Sequence, residues 1–359
     1  DKTITLSASA TTGSITLSSS TALFFSSHTG SLWKLRHYIE GQVATQAFAS
    51  VTTGTGIKCF TTWRLISHGT WTGKFNVEKS IDGGSTWTVL RTFSSVDDYN
   101  ANTYGTEDIT ENTEPFLVRI NMTARSIGTA NIDLTTDPFY QEGIVEVTSY
   151  SSATSVTATV LQTVGLTTGT ISWNEGSWSD YRGWPRVSRF YQDRLVFAGS
   201  DSEPMTMWMT VTGDYYSFLR HSILLDTDGI TTNLQSRQLN AINGLVAFKR
   251  LLVFTSASIW SVGPVSGSSM KPTGFTIEVE EYNGSNGINP IVIGNEAIYA
   301  QEHSKIISNI GYQLADDSFI GNIANITATH LFKDYEIIDM AYQRNPDRII
   351  WCLRDDGNM

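Results

Sequence analysis

The chain has 359 residues, of which 40% are hydrophobic and only 16% are charged, and its formal net charge is −11. Lys and Arg form no basic run, which argues against tight nucleic-acid binding through phosphate neutralisation. No apolar run approaches the roughly 18 residues of a membrane span. The length suggests about two domains. The bias towards Thr, Ser and aromatic residues favours sheet over helix, so we predict an all-β protein.

Short alternating runs separated by Ser and Gly fill residues 1–140. They include Thr3–Leu6, Ser14–Leu17, Ser31–Leu35, Cys59–Trp63, Gly73–Glu78 and Pro115–Ile120. Many short strands at this spacing are typical of a β-sandwich or jelly roll, so we predict a sandwich-like domain over 1–140. The two cysteines, Cys59 and Cys352, have no Cys or His at metal-ligand spacing, and we predict that both are free thiols.

The segment from Ser80 to Trp87 matches the Asp-box pattern S-x-D-x-G-x-T-W at every fixed position. The matching residues are Ser80, Asp82, Gly84, Thr86 and Trp87. This pattern predicts a tight hairpin in which glycines take positive φ, Asp82 accepts backbone N–H bonds and Trp87 packs beneath the turn. Asp boxes also occur in sialidases, so a glycosidase remains an alternative. That chemistry requires a converging acid pair or a tyrosine nucleophile with an acidic partner.

Residues 141–186 are predicted to connect two domains through a strand pair and then an aromatic corner. The corner carries Trp173, Trp178, Tyr181, Arg182, Trp184 and Pro185. Large aromatics at a domain junction pack as structure, with Arg182 or Arg186 bridging to a carboxylate. The alternative is an exposed surface on which Trp178, Tyr181 and Trp184 stack against sugar rings.

Residues 187–359 repeat a two-strand unit. The spacings between Phe197, Phe254, Tyr299 and Trp351 are 57, 45 and 52 residues. Repeats of this length made of short strands predict propeller-like blades, here an incomplete set, since each small sheet needs neighbours to cover its faces. An ordinary β meander with coincidental spacing is the alternative.

Weaker patterns in the same half are interpreted structurally. Asp316 and Asp317, followed by apolar residues at partial helical spacing, predict one helix running to about Leu331. Asp226–Gly229 begins like a calcium loop but lacks the later ligands, so we predict a turn. The six histidines are scattered, and Glu278, Glu280 and Glu281 resemble a solvated strand edge. We therefore assign no catalytic, cofactor-binding or metal-binding residue.

The corner also carries a family resemblance. The run Trp173-x-Glu175-Gly176-x-Trp178-Ser179-x-Tyr181-Arg182-Gly183-Trp184-Pro185-Arg186, followed by Arg194-Leu195-Val196-Phe197-Ala198-Gly199, resembles the tail nozzle, or tail tubular, proteins of short-tailed phages and their prophages. Weaker matches occur at Leu17–Leu35, Met207–Tyr215 and His330–Trp351. The resemblance implies an internal fragment of a propeller-and-sandwich subunit.

The same resemblance implies a structural role in the virion tail, after synthesis in the host cytoplasm. It implies a homo-oligomeric ring, commonly of six, that contacts an adaptor and tail fibre or spike proteins. DNA would pass through the bore without specific binding, and the family supplies no catalytic residues. The alternatives are a glycan-binding tail adhesin and a propeller glycosidase.

Overall fold

The computed structural model describes residues 3–96, 100–106, 114–220, 224–236, 240–265, 268–315 and 318–359. Strand accounts for 55% of the residues and helix for 2%, which confirms the all-β prediction. The chain divides into two compact units, Asp1–Gly176 and Ser177–Met359. Within the described ranges, no helix has the length and apolarity needed to cross a membrane.

The described part of the first unit contains one 3₁₀ turn, Ser26–His28, and fourteen strands. The strands are β1 (Leu6–Ala8), β2 (Ser14–Ser19), β3 (Leu32–Ile39), β4 (Val43–Phe48), β5 (Ile57–Cys59), β6 (Thr62–His68), β7 (Trp71–Ser80), β8 (Thr88–Ser94), β9 (Asn102–Thr106), β10 (Phe116–Gly128), β11 (Ala130–Thr136), β12 (Phe139–Ser152), β13 (Ser155–Gln162) and β14 (Trp173–Glu175).

Six of these strands form one curled antiparallel sheet in the order β1-β2-β13-β12-β3-β14. The chain just before and within β14 reaches both edges of this sheet. Thr170 exchanges two backbone hydrogen bonds with Leu6 of β1, at 2.8 and 2.9 Å, and Trp173–Glu175 pair with β3. Because its edges are joined in this way, the sheet encloses its own apolar core, which includes Leu17 and Trp33.

The remaining eight strands form a β-sandwich of two four-stranded sheets, β5-β10-β7-β8 and β4-β11-β6-β9. Their inward side chains share one core, in which Phe75 and Phe93 stack at 4.9 Å between ring centroids. The sandwich occupies residues 43–136. The strands before it do not join it, because β3 pairs directly with β12 across the whole insertion.

The described part of the second unit contains one 3₁₀ turn, Thr329–Phe332, and fourteen strands. The strands are β15 (Val187–Tyr191), β16 (Arg194–Ala198), β17 (Thr206–Met209), β18 (Ile230–Asn233), β19 (Ile242–Ala247), β20 (Leu251–Thr255), β21 (Ile259–Pro264), β22 (Phe275–Glu281), β23 (Ile291–Ile293), β24 (Glu296–Ala300), β25 (Ile307–Gln313), β26 (Ser318–Ile323), β27 (Ile337–Gln343) and β28 (Ile349–Arg354).

These strands form three consecutive four-stranded antiparallel sheets and a two-stranded hairpin, each in sequence order. Four sequential antiparallel strands are the connectivity of a propeller blade, which confirms the predicted blade-like sheets. Alternate residues of a strand point to opposite faces. In β20, Leu251 and Val253 therefore pack towards the β15–β18 sheet, whereas Leu252 and Phe254 pack towards the β23–β26 sheet.

The third sheet repeats this division. Tyr299 of β24 lies in the core shared with β19–β22, while Ile298 and Ala300 lie in a core shared with Ile337 and Met340 of the hairpin. Each central sheet thus buries both faces against its neighbours, which explains why β20 and β24 are apolar on both faces rather than alternating.

The helix predicted up to Leu331 is wrong. Residues Ser318–Ile323 are strand β26, and Phe319 lies in the core that the second and third sheets share. Only Thr329–Phe332 is helical, as a single 3₁₀ turn. The apolar residues here also fit the two-residue period of a strand, and β25 lies beside this segment as a pairing partner, so a strand forms instead of a helix. Asp316 and Asp317, its predicted cap, lie outside the described residues.

Both cysteines are thiols, as predicted. Cys59 is buried in the sandwich core, and Cys352 is half-buried on β28, where burial raises the pKa of its thiol.

Candidate functional site

The Asp-box residues form a closed hydrogen-bonded turn between β7 and β8. Asp82 Oδ1 accepts the Thr86 backbone N–H at 2.8 Å and the Ser80 hydroxyl at 2.7 Å, and Asp82 Oδ2 accepts the Thr86 hydroxyl at 2.6 Å. The Gly84 N–H donates to Ser80 Oγ at 2.8 Å, and Gly83 and Gly84 have φ of 71° and 99°. The predicted role of Asp82 as acceptor of a backbone N–H is confirmed.

All three of these hydrogen bonds to Asp82 come from residues of the turn itself. The Thr86 side-chain hydrogen bond, followed by the Thr86 backbone and Ser80 bonds, holds the pKa of Asp82 well below its ordinary value. Trp87 closes the underside, with its Nε1–H donating to Gly84 O at 2.9 Å. A carboxylate that accepts three hydrogen bonds within its own turn, and whose pKa those bonds lower, is a poor general base.

The Trp87 ring also forms a cation–π contact with Arg119. The Arg119 guanidinium lies 3.9 Å from the ring centroid and forms an ion pair of 2.9 Å with the buried Glu78. Asn121 Nδ2 donates to the other oxygen of Glu78 at 2.7 Å. This cluster ties the Asp-box turn to β7 and β10 of the sandwich.

The aromatic corner is divided between the two units. Trp173 belongs to the first unit, where its ring packs 5.5 Å from Trp33 and its Nε1–H donates to Ile4 O at 2.8 Å. Two residues further on, Glu175 Oε1 lies 3.3 Å from Nε2 of the buried His28. These contacts anchor β14 where the first unit ends.

Trp178 belongs to the second unit and packs against the first blade-like sheet. The rings of Phe197, Trp208 and Phe218 surround it at centroid distances of 5.1, 5.4 and 5.2 Å. Trp178 therefore packs on the face of β16 and β17 that carries Phe197 and Trp208. Its ring is half-buried in this cluster, so among the three residues of the sugar-stacking alternative only Tyr181 and Trp184 are largely exposed.

The rest of the corner is a tight turn with two exposed rings. Gly183 N–H donates to Ser179 O at 2.7 Å, and Gly183 has a φ of 82°. A Cβ at Gly183 would lie 2.8 Å from that of Asp201, so the turn requires glycine. Tyr181 and Trp184 are 50% and 55% exposed.

The polar residues of the corner hold this turn in place. The Arg182 N–H donates to Ser179 Oγ at 3.0 Å, and the Trp184 Nε1–H donates to Asp180 Oδ1 at 2.9 Å. Arg186, after the half-buried Pro185, forms the predicted bridge to a carboxylate, with Asp201 at 2.8 Å.

Arg194 is the residue whose role the sequence did not reveal. It is fully buried, and its guanidinium donates to the main-chain oxygens of Thr210 at 2.7 Å, Asp228 at 2.6 Å and Asp226 at 3.0 Å. A longer bond of 3.4 Å reaches Met270 O. Burial lowers the pKa of Arg194, opposed by the Asp228 charge.

This arrangement explains why Asp226–Gly229 begins like a calcium loop. Its carbonyls do converge on a positive charge, but the charge is a guanidinium from the start of β16. The Asp228 carboxylate also accepts the Leu225 N–H at 3.0 Å, which confirms the predicted turn. Nothing in the sequence links the arginine at the start of β16 to a turn more than thirty residues later.

The remaining acidic and histidine residues do not converge on a shared site in the described ranges. Those ranges contain no group of three or more His, Cys, Asp or Glu side chains placed to hold a metal ion. Glu280 accepts the Phe319 N–H, and Glu278 lies 3.7 Å from Arg250. His37 donates to Thr168 O, while His221 lies outside the described residues.

Comparison with protein-family models and with curated proteins finds no match to this chain.

Proposed function

We propose that this chain is a structural component of a bacteriophage tail, part of the nozzle or tail tube that conducts the genome. The observation that carries the proposal is that the motif residues pack the core and hold the main chain in place. Trp173 packs in the core of the first unit and Trp178 packs against the first sheet of the second unit. The Arg194 guanidinium donates its hydrogen bonds to main-chain oxygens. The residues that resemble the nozzle motif also pack the sheets. Because packed interiors have low compressibility, this packing supports a mechanical role for the protein.

The proposal extends to assembly. The chain would form a homo-oligomeric ring, of six copies by resemblance, in contact with an adaptor and with tail fibre or spike proteins. The net charge of −11 supports a surface past which DNA slides, because like charges repel phosphate. The protein would reside in the virion tail, and the proposal includes no catalytic role.

Immunoelectron microscopy of virions from the encoding phage or prophage tests this. An antibody raised against this chain is expected to label the tail tip, with label absent from particles lacking the gene product. Labelling of the capsid alone, or of no particle, would overturn the proposal.

Complementation supplies a second test. A null phage supplied with Arg194→Met protein should yield few tailed particles, because the second unit loses a buried anchor. Arg186→Met, which removes an exposed ion pair, should complement normally. Equal complementation by both variants would contradict the mechanical role of Arg194.

A further inference from the structure

The curled sheet of the first unit is closed by one segment, residues 163–175, which we call the strap. Its Thr170 pairs with β1, and its last three residues are β14, which pairs with β3. Near its start, Val164 is fully buried in the core of the sheet, and its N–H donates to Thr11 O at 3.0 Å. Because β1 and β14 are the two ends of the sheet in pairing order, closure depends on the strap.

Two inward-facing polar side chains hold the strap against the sheet. His37 on β3 and Gln141 on β12 lie opposite each other in the strand pairing and are 3% and 4% exposed. His37 Nε2 lies 3.0 Å from Thr168 O, and Gln141 Nε2 lies 3.2 Å from Thr163 O. Because a carbonyl oxygen only accepts, Nε2 of His37 carries the hydrogen and is the donor.

The strap packs directly on His37. Gly165 of the strap is buried, and a Cβ there would lie 2.9 Å from His37 Cβ and 3.2 Å from Gln141 Cβ. Leu35 and Ile39 share the inward face of β3 with His37 and are buried. His37 Nδ1 is also buried and has no hydrogen-bond partner among the described residues. A second proton on this ring would therefore place an unpaired charge in a closed, apolar site, which is unfavourable.

The groups that face His37 are neutral. They are Gln141 from β12 and Gly165 and Thr168 from the strap. Burial lowers the pKa of His37, opposed by its hydrogen bond to Thr168 O. The other ionisable side chains of β3 and β12 point to the outer face, as their alternation with the buried positions requires.

Two further ionisable groups contact the strap, at its two ends. Glu175 Oε1 lies 3.3 Å from Nε2 of His28. At the other end, Glu114 forms hydrogen bonds with the Gln162 side chain and the Thr163 main chain, and burial raises the pKa of Glu114. A carboxyl whose pKa is raised in the closed form binds its proton more tightly there, so Glu114 favours closure as the pH falls. His37 acts in the opposite direction.

We propose that the strap is a latch that mild acid releases through protonation of His37. In the closed form His37 is neutral and donates to Thr168 O. Once the strap lifts, water reaches His37 and the ring binds a proton, so a falling pH draws the equilibrium towards the open form. The stability that His37 gives to the closed form is present above the ordinary histidine pKa of about 6.5 and is lost as the pH falls towards the lower pKa of the closed form.

This device is independent of the proposed tail role. The first unit ends at Gly176, directly after the strap. Release therefore lengthens the segment of chain that leads into the second unit.

Hydrogen–deuterium exchange with mass spectrometry on the whole chain tests the proposal, at about pH 7.5 and about pH 5.5, with rates corrected for intrinsic exchange. Peptides that contain Val164 and Thr170 report on closure, because these amides donate to Thr11 O and Leu6 O. Their protection should be about tenfold lower at the acid pH, since an exposed histidine with a pKa of about 6.5 binds its proton over this range. Peptides from β7 and β10 of the sandwich should keep their protection.

His37→Gln is the deciding variant, because a glutamine amide can donate to Thr168 O but does not titrate. It should keep the protection seen at about pH 7.5 and remove the change at about pH 5.5. His68→Gln is the matched control. His68 is an exposed histidine of the sandwich that lies 3.4 Å from Asp133, and its replacement should leave the strap's pH response as in the parent.

Imidazole NMR titration of the parent is the second measurement and does not depend on how any variant folds. His37 should titrate below the ordinary histidine value of about 6.5. The proposal is overturned if His37 titrates at or above that value, if strap protection does not change with pH, or if His37→Gln retains the change. It is also overturned if the sandwich peptides lose protection to the same extent, or if His28→Asn alone removes the response, since that outcome assigns it to the Glu175–His28 pair.

Discussion

Replacing Arg194 with methionine removes the guanidinium but keeps a long apolar stem. The substitution leaves three buried or partly buried carbonyls without their donor, those of Thr210, Asp226 and Asp228. Each orphaned buried acceptor costs about 1–3 kcal/mol. The substitution also ends the cost of burying a charge, which offsets part of that loss. We therefore expect the free energy of unfolding of the second unit to fall by about 3 kcal/mol.

Urea unfolding followed by tryptophan fluorescence measures this change. Arg194→Lys should fall between parent and methionine variant, because one ammonium cannot span three carbonyls. Arg186→Met is the matched control, since the Arg186–Asp201 pair is exposed and worth at most about 1 kcal/mol. Limited proteolysis should cut faster within residues 210–220 and 224–229 of the methionine variant. An Arg194→Met loss below about 1 kcal/mol would refute the reasoning.

Three further outcomes are expected. Trp178→Ala should lower the free energy of unfolding by about 2–4 kcal/mol, whereas Trp184→Ala should change it by under about 1 kcal/mol in the same urea titration. Carboxyl NMR should show that Asp82 has a lower pKa than ordinary aspartates. The ionised Asp82 therefore contributes its full share of folding stability above the pKa of the unfolded state, and this contribution is lost as the pH falls through the pKa of the folded state. Burial raises the pKa of Tyr299 to about 12, so stability should fall between about pH 10 and 12. Spectrophotometric titration checks this value, and Tyr299→Phe should remove the late component.

Local patterns were sufficient for features formed by neighbouring residues. The Asp-box hairpin follows from Asp82, Gly83 and Gly84, whose turn chemistry is complete within eight residues. The repeated two-strand unit of the second half corresponds to the central strands of the three sheets, β16–β17, β20–β21 and β24–β25, since each of these strands pairs with the next in sequence. The outer strands of those sheets were not predicted. In both cases the partners are close along the chain.

Features formed by distant residues could not be predicted. The pairing of β3 with β12 spans the whole sandwich, and alternation within Leu32–Ile39 gives no information about which distant strand it joins. The burial of Arg194 depends on a turn more than thirty residues later. A single arginine at a strand start is usually solvent-exposed, so only the fold reveals its partners.

The segment containing the aromatic corner shows a third limit. Its aromatic density correctly indicated packing for Trp173 and Trp178, but these two rings pack in different units although only four residues separate them. Composition indicates neither which core receives each ring nor which rings stay exposed, as Tyr181 and Trp184 do.

The central strands of the second unit bury both faces, and this affects how the unit unfolds. Removing the β19–β22 sheet would expose apolar surface on both the sheet before it and the sheet after it. The central sheets therefore cannot melt one at a time. Loss of structure should begin at the β27–β28 hairpin and then spread through the remaining sheets as one cooperative transition.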